Sequence, residues 1–368
     1  MIEKQGDEIQ EKYGNLKIVW HPEKLEALRK GEVSAPLCIR IKPTNKCNHQ
    51  CFYCSYDPNV DDANVLSIGF HQEDEIPREK MMEILSDLKE MGVKAVTFSG
   101  GGEPLIYPHI LETLKKVLDY GIDLSIITNG QLLSGERAEL LGNARWVRIS
   151  SDACDAETFS QIRNVPEGFF NNLTENIEKF AKLKNSDCEF GINFVVNHLN
   201  AKQVFDAALH FKELGVNHVK FTPRWIDKEG EWIQYHAPFK ENVIEQIKRA
   251  KQELQDEDFK IFDTYENDFR LTGVPERVYT KCPIMQIVPV IGADCNIYFC
   301  HDKTYLKEGA LGSIKNISFK YLWFSEEAQK RFKNFNPKIE CQQHCSYDSR
   351  NIMINCMLNN YGKHINFP

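Results

Sequence analysis

Short apolar runs alternate with amphipathic helical patterns from about residue 37 to residue 225, and this alternation restricts the possible folds more than any other feature. Strands are predicted at 37–43, 94–99, 123–129, 146–152, 189–197 and 218–225, and helices at 78–92, 109–121, 134–142, 155–163, 171–184 and 200–214. Parallel strands need helical crossovers, and continuous apolar runs are typical of strands buried on both faces. The pattern therefore predicts an α/β fold with six βα units around a parallel sheet.

Composition narrows the class of protein. The chain has 368 residues, 42% of them hydrophobic, which is enough for one large domain and a smaller one. The net charge is −8 and the basic residues form no patch, so nucleic acid is not an expected partner. No apolar run approaches the roughly 18 residues of a membrane span. The first residues, MIEKQGDEIQ, contain no hydrophobic signal, so a cytoplasmic location is expected.

Three cysteines, Cys47, Cys51 and Cys54, follow the first predicted strand with the spacing C-x3-C-x2-C. Thiolates are the usual ligands of a 4Fe–4S cluster, and three of them leave one iron open to bind a cofactor or substrate. A zinc site would need a fourth ligand, for which His49 is the nearby candidate. Disulfides would need an oxidising compartment. The total of 12 cysteines in a chain without a signal segment favours metal.

Glycine and polar residues follow the carboxyl ends of the next predicted strands. They are Gly100, Gly101, Gly102, Glu103 and Pro104 after the second strand, Asn129 after the third, and Ser150 and Asp152 after the fourth. Such positions face the ligand crevice of α/β sheets. Glycine allows close backbone approach, although a tight turn would also explain the run. Glu103 can approach a ligand ammonium, and Arg163 in the following helix can pair with a ligand carboxylate.

This order of motifs resembles the radical S-adenosylmethionine (SAM) superfamily over residues 36–235, with Tyr53 as the typical aromatic residue before the last cysteine. The resemblance implies a partial (β/α)6 TIM-like barrel with a 4Fe–4S cluster on Cys47, Cys51 and Cys54 and SAM bound to the open iron. The SAM-binding residues that it implies are Tyr53, Gly101, Gly102, Glu103, Pro104, Asn129, Ser150, Asp152, Arg163 and Val195.

A second group of cysteines lies near the carboxyl end of the chain: Cys282, Cys295, Cys300, Cys341, Cys345 and Cys356. QIVPVIG and NIYFC predict a hairpin that turns at 292–294, and SFKYLWFSEEAQKRF predicts the helix after it. The arrangement resembles the SPASM and twitch extensions of the superfamily. Because CQQHC departs from the full SPASM pattern, the resemblance implies a twitch (half-SPASM) domain.

In that twitch domain one auxiliary 4Fe–4S cluster is expected on Cys282, Cys300, Cys341 and Cys345. Cys356 can replace one of the four, and Cys295 can face the active site. The expected organisation is an N-terminal helix and strand extension at 1–35, the partial barrel at 36–235, a helical linker at 236–274 and the twitch domain at 275–368. The long first βα loop, 44–77, is expected to cover the cluster and to contact substrate.

The leading functional hypothesis is a radical SAM oxidoreductase. The resemblance implies that an external one-electron reductant, such as flavodoxin or ferredoxin, starts SAM cleavage and that the auxiliary cluster accepts an electron from the substrate. The expected substrate is a small polar molecule such as a sugar, nucleotide sugar or aminocyclitol, because the C-terminal spacing resembles the 2-deoxy-scyllo-inosamine dehydrogenases. Candidates for the catalytic base are Lys220, Arg224 and Asp227, although charges at a barrel mouth are common.

Two other classes remain open. Peptide modification, such as thioether formation or sulfatase maturation, is known for relatives with leader-binding domains, and the 35 residues before the predicted barrel are too few for such a domain. An epimerase would need a thiol hydrogen donor. Cys154 is the spare cysteine closest in sequence to the predicted SAM site, and its alternative role is to pack in the core or cap a helix. A simple electron carrier would leave the glycine and polar motifs without a role.

Overall fold

A computed structural model describes residues 15–57, 60, 68–226, 231–266, 277–341 and 345–359. The strands are β1 Cys38–Ile41, β2 Ala95–Phe98, β3 Asp123–Thr128, β4 Trp146–Ser150, β5 Glu189–Val196, β6 His218–Pro223, β7 Lys260–Asp263, β8 Val290–Ile291, β9 Asn296–Tyr298 and β10 Ala310–Ser313. The helices are α1 Pro22–Lys30, α2 Arg78–Met91, α3 Ile110–Asp119, α4 Gly135–Leu141, α5 Ala156–Arg163, α6 Gly168–Leu183, α7 Val204–Glu213, α8 Glu231–His236, α9 Lys240–Leu254, α10 Phe319–Trp323, α11 Glu326–Asn334, α12 Pro337–Glu340 and α13 Asp348–Leu358.

All ten of these strands belong to one sheet in the order β10-β9-β8-β1-β2-β3-β4-β5-β6-β7. Strands β1 to β7 are parallel in chain order, joined by crossovers that carry α2 to α9. The predicted α/β fold with a parallel-dominated sheet is confirmed. Strand β7 was not predicted and lies within the stretch 236–274, expected to be only helical. Its four residues, KIFD, hold too short an apolar run to indicate a strand.

Local signals place the helix ends near their predicted positions. Helix α2 starts directly after Pro77 and ends at Gly92, whose φ of 74° is left-handed. The Gly92 N–H caps the last turn by donating to carbonyls of Leu88 and Lys89. Glycine adopts this conformation without the steric cost that a Cβ imposes, so it is the usual residue there.

The two faces of the parallel strands differ in chemistry. Residues such as Ile39, Ile41, Val147 and Ile149 are fully buried in the main hydrophobic core. The alternate residues form what we call the inner face, which carries polar and charged side chains: Arg40, Thr97, Ser125, Arg148, Ser150, Asn193, Lys220 and Thr222. The short apolar runs predicted strands that are apolar on both faces. The structure shows that only one face is apolar.

The predicted C-terminal hairpin extends this same sheet. Strand β8 pairs parallel to β1, with Val290 opposite Arg40, and β9 returns antiparallel to β8. The helix expected after the hairpin is divided into α10 and α11, because the Ser325 hydroxyl accepts a hydrogen bond from the Ala328 N–H and starts a second helix.

The described part of the N-terminal extension, residues 15–35, contains a 3₁₀ helix, Asn15–Trp20, and α1, and no strand. The buried Lys24 ammonium ties α1 to the chain before β1 by donating to the Ser34 hydroxyl at 2.8 Å and to the Ala35 carbonyl at 3.0 Å. Throughout the described residues, every helix is too short or too polar to cross a membrane.

Candidate functional site

The loop site, defined as Cys47, Cys51 and Cys54, is fixed between two neighbouring segments. The N–H groups of Gln50 and Phe52 donate to the last carbonyls of α5, at 3.0 and 3.1 Å. On the other side, the Glu103 N–H donates to the Lys46 carbonyl at 2.8 Å. Burial raises the pKa of Cys47 to about 12, and Glu103, Cys51 and Cys54 add to this effect. The three thiols therefore lie close enough to affect one another. Their surroundings disfavour a free thiolate, so a bound cation would stabilise the deprotonated form.

The glycine run supports the loop site through close packing. A Cβ at Gly102 would lie 1.8 Å from the Lys46 carbonyl oxygen, and one at Gly101 would lie 2.1 Å from Asn45 Oδ1. A side chain at Gly102 would displace the backbone that leads into the cysteines, and one at Gly101 would displace the side chains of Asn45 and Phe70. The glycine run was expected to let a ligand approach the backbone. In the structure, the segment that leads into the cysteine loop makes this close approach.

Glu103 connects the glycine run to the residues after β3. Its buried carboxylate accepts hydrogen bonds from the Leu105 N–H at 2.9 Å, the Thr128 hydroxyl at 2.6 Å and the Asn129 N–H at 2.7 Å. Burial raises the pKa of Glu103, and these bonds oppose that rise. Asn129 in turn donates to Asn48 Oδ1 at 2.6 Å, inside the cysteine loop. The carboxylate thus orients the chain's own groups and holds Asn129 against the loop.

Asp152 and Arg163 form a fully buried ion pair next to Cys51. Asp152 also accepts from the Tyr53 hydroxyl and, at 2.8 Å, from the Val195 N–H. Arg163 Nη1 lies 3.4 Å from the Cys51 sulfur. Burial opposes the Arg163 charge, but Asp152, Tyr53 and Cys51 outweigh it and raise the Arg163 pKa. Arg163, expected to bind a ligand carboxylate, instead holds Asp152 and a cysteine of the loop.

Ser150 differs from the other expected SAM-binding residues. It ends β4 on the inner face, half-buried, in register with Asn193. Its hydroxyl makes no hydrogen bond with any of the described residues. Ser150 therefore offers a ligand both a donor and an acceptor.

The candidate bases have different surroundings. Lys220 lies on the inner face of β6, in register with Asn193 and Phe262. The Arg224 guanidinium lies 4.8 Å from the ring centre of Phe52 in the loop and 5.0 Å from that of Tyr235. A guanidinium does not lose its proton in proteins, so this placement suits a positioning role better than that of a base. Asp227 lies outside the described residues.

Cys154 lies after β4 and packs against the main hydrophobic core. Burial raises its pKa to about 11, and the next contributions come from Asp155 and from Asp206 on α7. None of these neighbours belongs to the loop site. The structure thus places Cys154 beside the start of α7.

Four of the six C-terminal cysteines come together. In the C-terminal cysteine group, defined as Cys282, Cys300, Cys341 and Cys345, burial raises every thiol pKa. Cys345 and Cys341 add to the effect on Cys282, and Cys282 and Cys345 add to that on Cys300. Met285, Phe299 and Phe335 pack beside them.

The two remaining cysteines lie apart from this group. Cys295 is buried in the main core, where its charged neighbours are the adjacent Asp294 and, on other segments, Lys315, Lys80 and Asp74. Cys356 is exposed on α13. The structure thus brings together the four predicted auxiliary ligands and separates the two alternatives.

The donors of each group are thiols, the usual ligands of an iron–sulfur cluster. Within the described ranges, no three His, Cys, Asp or Glu side chains lie close enough to hold one metal ion. In a four-iron cluster each thiolate binds a different iron, so the thiolates lie farther apart than ligands of one ion do. The loop site offers three thiols and the C-terminal cysteine group offers four.

Sequence reasoning missed several residues around these groups. Asn200 donates to the Asp152 carbonyl at 2.8 Å, and its own side-chain oxygen accepts from the Asn197 N–H at 2.7 Å. Lys42, Arg40 and Arg148 bring positive charge to the inner face and its edge. The signal was present in CIRIK and WVRIS, where a cation alternates with apolar residues inside a strand.

A comparison with known families finds a similarity within the parallel region. Residues 41–202 match the radical SAM superfamily. The radical SAM family implies a 4Fe–4S cluster and SAM, and the loop site offers the thiols for the cluster.

Curated relatives match about half of the chain. A probable GTP 3′,8-cyclase of Saccharolobus islandicus is 29% identical over 183 residues, 49% of this chain and 54% of the relative. An AdoMet-dependent heme synthase of Methanosarcina barkeri is 29% identical over 184 residues, 50% of this chain and 49% of the relative. The match spans only about half the length of each relative.

Solved structures show that the fold extends further. SuiB of Streptococcus suis, bound to its precursor peptide SuiA, has a TM-score of 0.60 at 15% identity and covers 89% of this chain and 76% of its own. The enzyme anSMEcpe with bound AdoMet has a TM-score of 0.59 at 18% identity, over 90% of this chain and 94% of its own. At these identities the likeness establishes the fold alone.

Proposed function

We propose that this protein is a radical SAM oxidoreductase in which the C-terminal cysteine group binds one auxiliary 4Fe–4S cluster in a twitch domain, and in which the parallel sheet forms a partial (β/α)6 barrel. The observation that carries the proposal is the convergence of Cys282, Cys300, Cys341 and Cys345 beside β8 and β9, two strands that continue the sheet from β1. A closed second cluster next to the radical site suits electron removal from a substrate.

Cys47, Cys51 and Cys54 would hold a cluster that, with SAM and an external one-electron reductant such as flavodoxin or ferredoxin, would supply the radical chemistry. The C-terminal cysteine group would hold a second cluster that would supply an electron acceptor for the substrate. Oxidation of an alcohol carbon in this way also releases the hydroxyl proton. Lys220, on the inner face, is the candidate that can accept that proton.

The chain's own residues hold the site in place. Arg163 orients Cys51, and Glu103 fixes Asn129 against the loop. Ser150 provides a hydroxyl for SAM, and Arg224 packs over Phe52 to keep the loop closed against α8. Together these contacts pre-organise the loop before any ligand binds.

Iron counting tests the proposal. Anaerobically reconstituted wild type is expected to hold about eight irons per chain, and the variant with Cys47, Cys51 and Cys54 replaced by Ala about four. Cys282→Ser with Cys300→Ser is also expected to retain about four irons, while Cys356→Ser, the matched control, keeps about eight. If wild type holds about four and the loop variant none, there is no auxiliary cluster and the oxidoreductase assignment fails.

For the substrate, we propose a small polar molecule such as a sugar, nucleotide sugar or aminocyclitol. One curated relative is a probable GTP 3′,8-cyclase, and GTP is a small phosphorylated molecule. Peptide modification is the second candidate, because the related solved structures include SuiB with a precursor peptide and anSMEcpe with peptides. A shared fold does not determine the substrate. Product analysis by mass spectrometry after incubation with cell-extract metabolites and, separately, peptides distinguishes the two.

A further inference from the structure

Two arginines lie on the inner face of the sheet without an acidic partner. Arg40 is on β1 and Arg148 on β4, and the strand neighbours of both are fully buried on the opposite face. Among the described residues, neither guanidinium makes a hydrogen bond or an ion pair, and the Nε atom of each is buried. A desolvated, unpaired cation is costly for the folded state, so two in one place call for an explanation.

The positive charges converge on one region, the cationic pocket, which we define as Arg40, Lys42 and Arg148. Burial and the charge of Arg40 lower the Arg148 pKa to about 10, although β1 and β4 are not adjacent strands. Burial also lowers the pKa of Lys42, with Arg40 contributing next. The Lys42 ammonium also lies 5.5 Å from the ring centre of Tyr305, in the C-terminal part of the chain.

Nearby groups do not neutralise this pocket. Lys42 donates to two uncharged acceptors, the Tyr56 hydroxyl at 2.5 Å and the Gly100 carbonyl at 2.9 Å. The Asp302 carboxylate accepts from the Ser346 N–H at 2.9 Å and its hydroxyl at 2.7 Å. Asp294 is bonded to Asn296 and Tyr298 within its own turn. The charges of Asp294 and Asp302 oppose the lowering of the Lys42 pKa, but they do not outweigh burial and the charge of Arg40.

The cationic pocket lies between the two cysteine groups. Lys42 bonds to Tyr56, two residues beyond Cys54, and lies 5.5 Å from the ring centre of Tyr305, five residues beyond Cys300. A molecule held there would contact the radical site on one side and the auxiliary group on the other. This is the position that a substrate needs if hydrogen is removed at one end and an electron leaves at the other.

We propose that the substrate carries an anionic group, a carboxylate or a phosphate, which Arg40, Lys42 and Arg148 bind. Guanidinium groups match both anions because they offer paired N–H donors in one plane. The inference rests on the proposed function for the reaction, but anion binding itself is measurable without turnover.

Calorimetric titration at fixed ionic strength tests the inference on the anaerobically reconstituted full chain. The probes are glycerol 3-phosphate and glycerate, which differ in their anion, with glycerol as the neutral reference. The variants are Arg40→Gln and Arg148→Gln. The matched control is Arg145→Gln, which loses only an exposed ion pair with Asp123, one residue before β4. We expect the anions, but not glycerol, to bind wild type and the control alike.

Each pocket variant is expected to weaken anion binding about tenfold or more, since a buried partner of the charge is lost. Each is also expected to melt at a higher temperature than wild type without probe, because repulsion between the two cations is relieved. A merely structural arginine would lower the melting temperature instead. Tighter binding of glycerol 3-phosphate assigns a phosphorylated substrate, and tighter binding of glycerate assigns a carboxylate.

Unchanged affinity in both pocket variants, or no anion binding by wild type, overturns the inference. Should one pocket variant fail to fold, the other provides the same comparison. Iron content and SAM cleavage are measured on the same wild-type sample. Their absence contradicts the proposed function, whereas absent anion binding with both intact contradicts only the anionic substrate.

Discussion

The loop site and the C-terminal cysteine group differ in what surrounds their thiols. Around Cys51 the neighbours are polar and joined by hydrogen bonds, with the buried pair of Asp152 and Arg163 at the centre. The C-terminal thiols pack instead against Phe299 and Phe335, whose rings lie 4.6 Å apart. The shell around a metal centre sets its solvent access and its reduction potential. The difference indicates one site built to receive a polar ligand and one built to exclude water.

Replacing Arg163 with Met should give the largest effect and confine it to the loop site. The change leaves Asp152 buried and without its cation, which costs about 3–5 kcal/mol of unfolding free energy. We expect the variant to bind only the iron of the C-terminal cysteine group, about four per chain. Chemical denaturation and iron counting measure the two effects.

The control for Arg163→Met is the same change combined with Asp152→Asn, which removes the unpaired charge and should recover part of the lost stability. Equal loss of iron from both groups in the single variant would show that the two regions do not act separately.

Substitution of Gly102 tests whether packing or ligand contact explains the glycine run. In Gly102→Ala the new Cβ would collide with the Lys46 carbonyl, and overpacking of this kind costs about 1–3 kcal/mol. The loop should therefore shift and lose iron, even with no SAM present. Gly168→Ala is the matched control, because a Cβ there meets nothing within 4 Å. Full iron retention with impaired SAM binding would contradict the packing explanation.

The sequence predicted what local patterns determine. Periodicity placed β1 to β6, and the spacing of Cys47, Cys51 and Cys54 selected a cluster over zinc. The sequence could not identify the hydrogen-bond partners of Glu103 and Arg163, because such partners are set by the fold. Both residues were expected to face a ligand, and the structure shows them bound to Asn129 and Asp152. The cationic pocket was also hidden, since the approach of Arg40 to Arg148 depends on how the sheet brings β1 and β4 together.

Lowering the pH should reduce the free energy of unfolding through protonation of His236, which lies near the loop site. Burial lowers the pKa of this histidine to about 4, and its ring nitrogens contact the Tyr265 hydroxyl and the Arg224 carbonyl, both at 3.0 Å. An unfolded histidine titrates near 6.5, so the unfolded chain takes up the proton first as the pH falls. Stability should therefore decrease by about 1.4 kcal/mol per pH unit between about 6.5 and 4.

Urea denaturation at pH 7 and pH 5 checks this expectation. His236→Gln should be less stable than wild type at pH 7 but should lose less stability on acidification. A variant with the same pH dependence as wild type would exclude His236 as the responsible group. A smaller pH dependence together with slower iron loss from the loop site in acid would connect the histidine to the loop through Arg224 and Phe52.

A substitution in the apolar shell of the C-terminal cysteine group should have the smallest effect on stability. Phe335→Leu keeps the site apolar but removes one ring from the pair with Phe299, at a cost of about 1 kcal/mol. Water and a chelator should then reach this group faster, while the loop site keeps its normal rate of iron loss. Phe324→Leu is the control, because Phe324 is 38% exposed. Faster release from the loop site instead would mean that exclusion of water does not distinguish the two regions, and the proposed closed cluster would lose its physical basis.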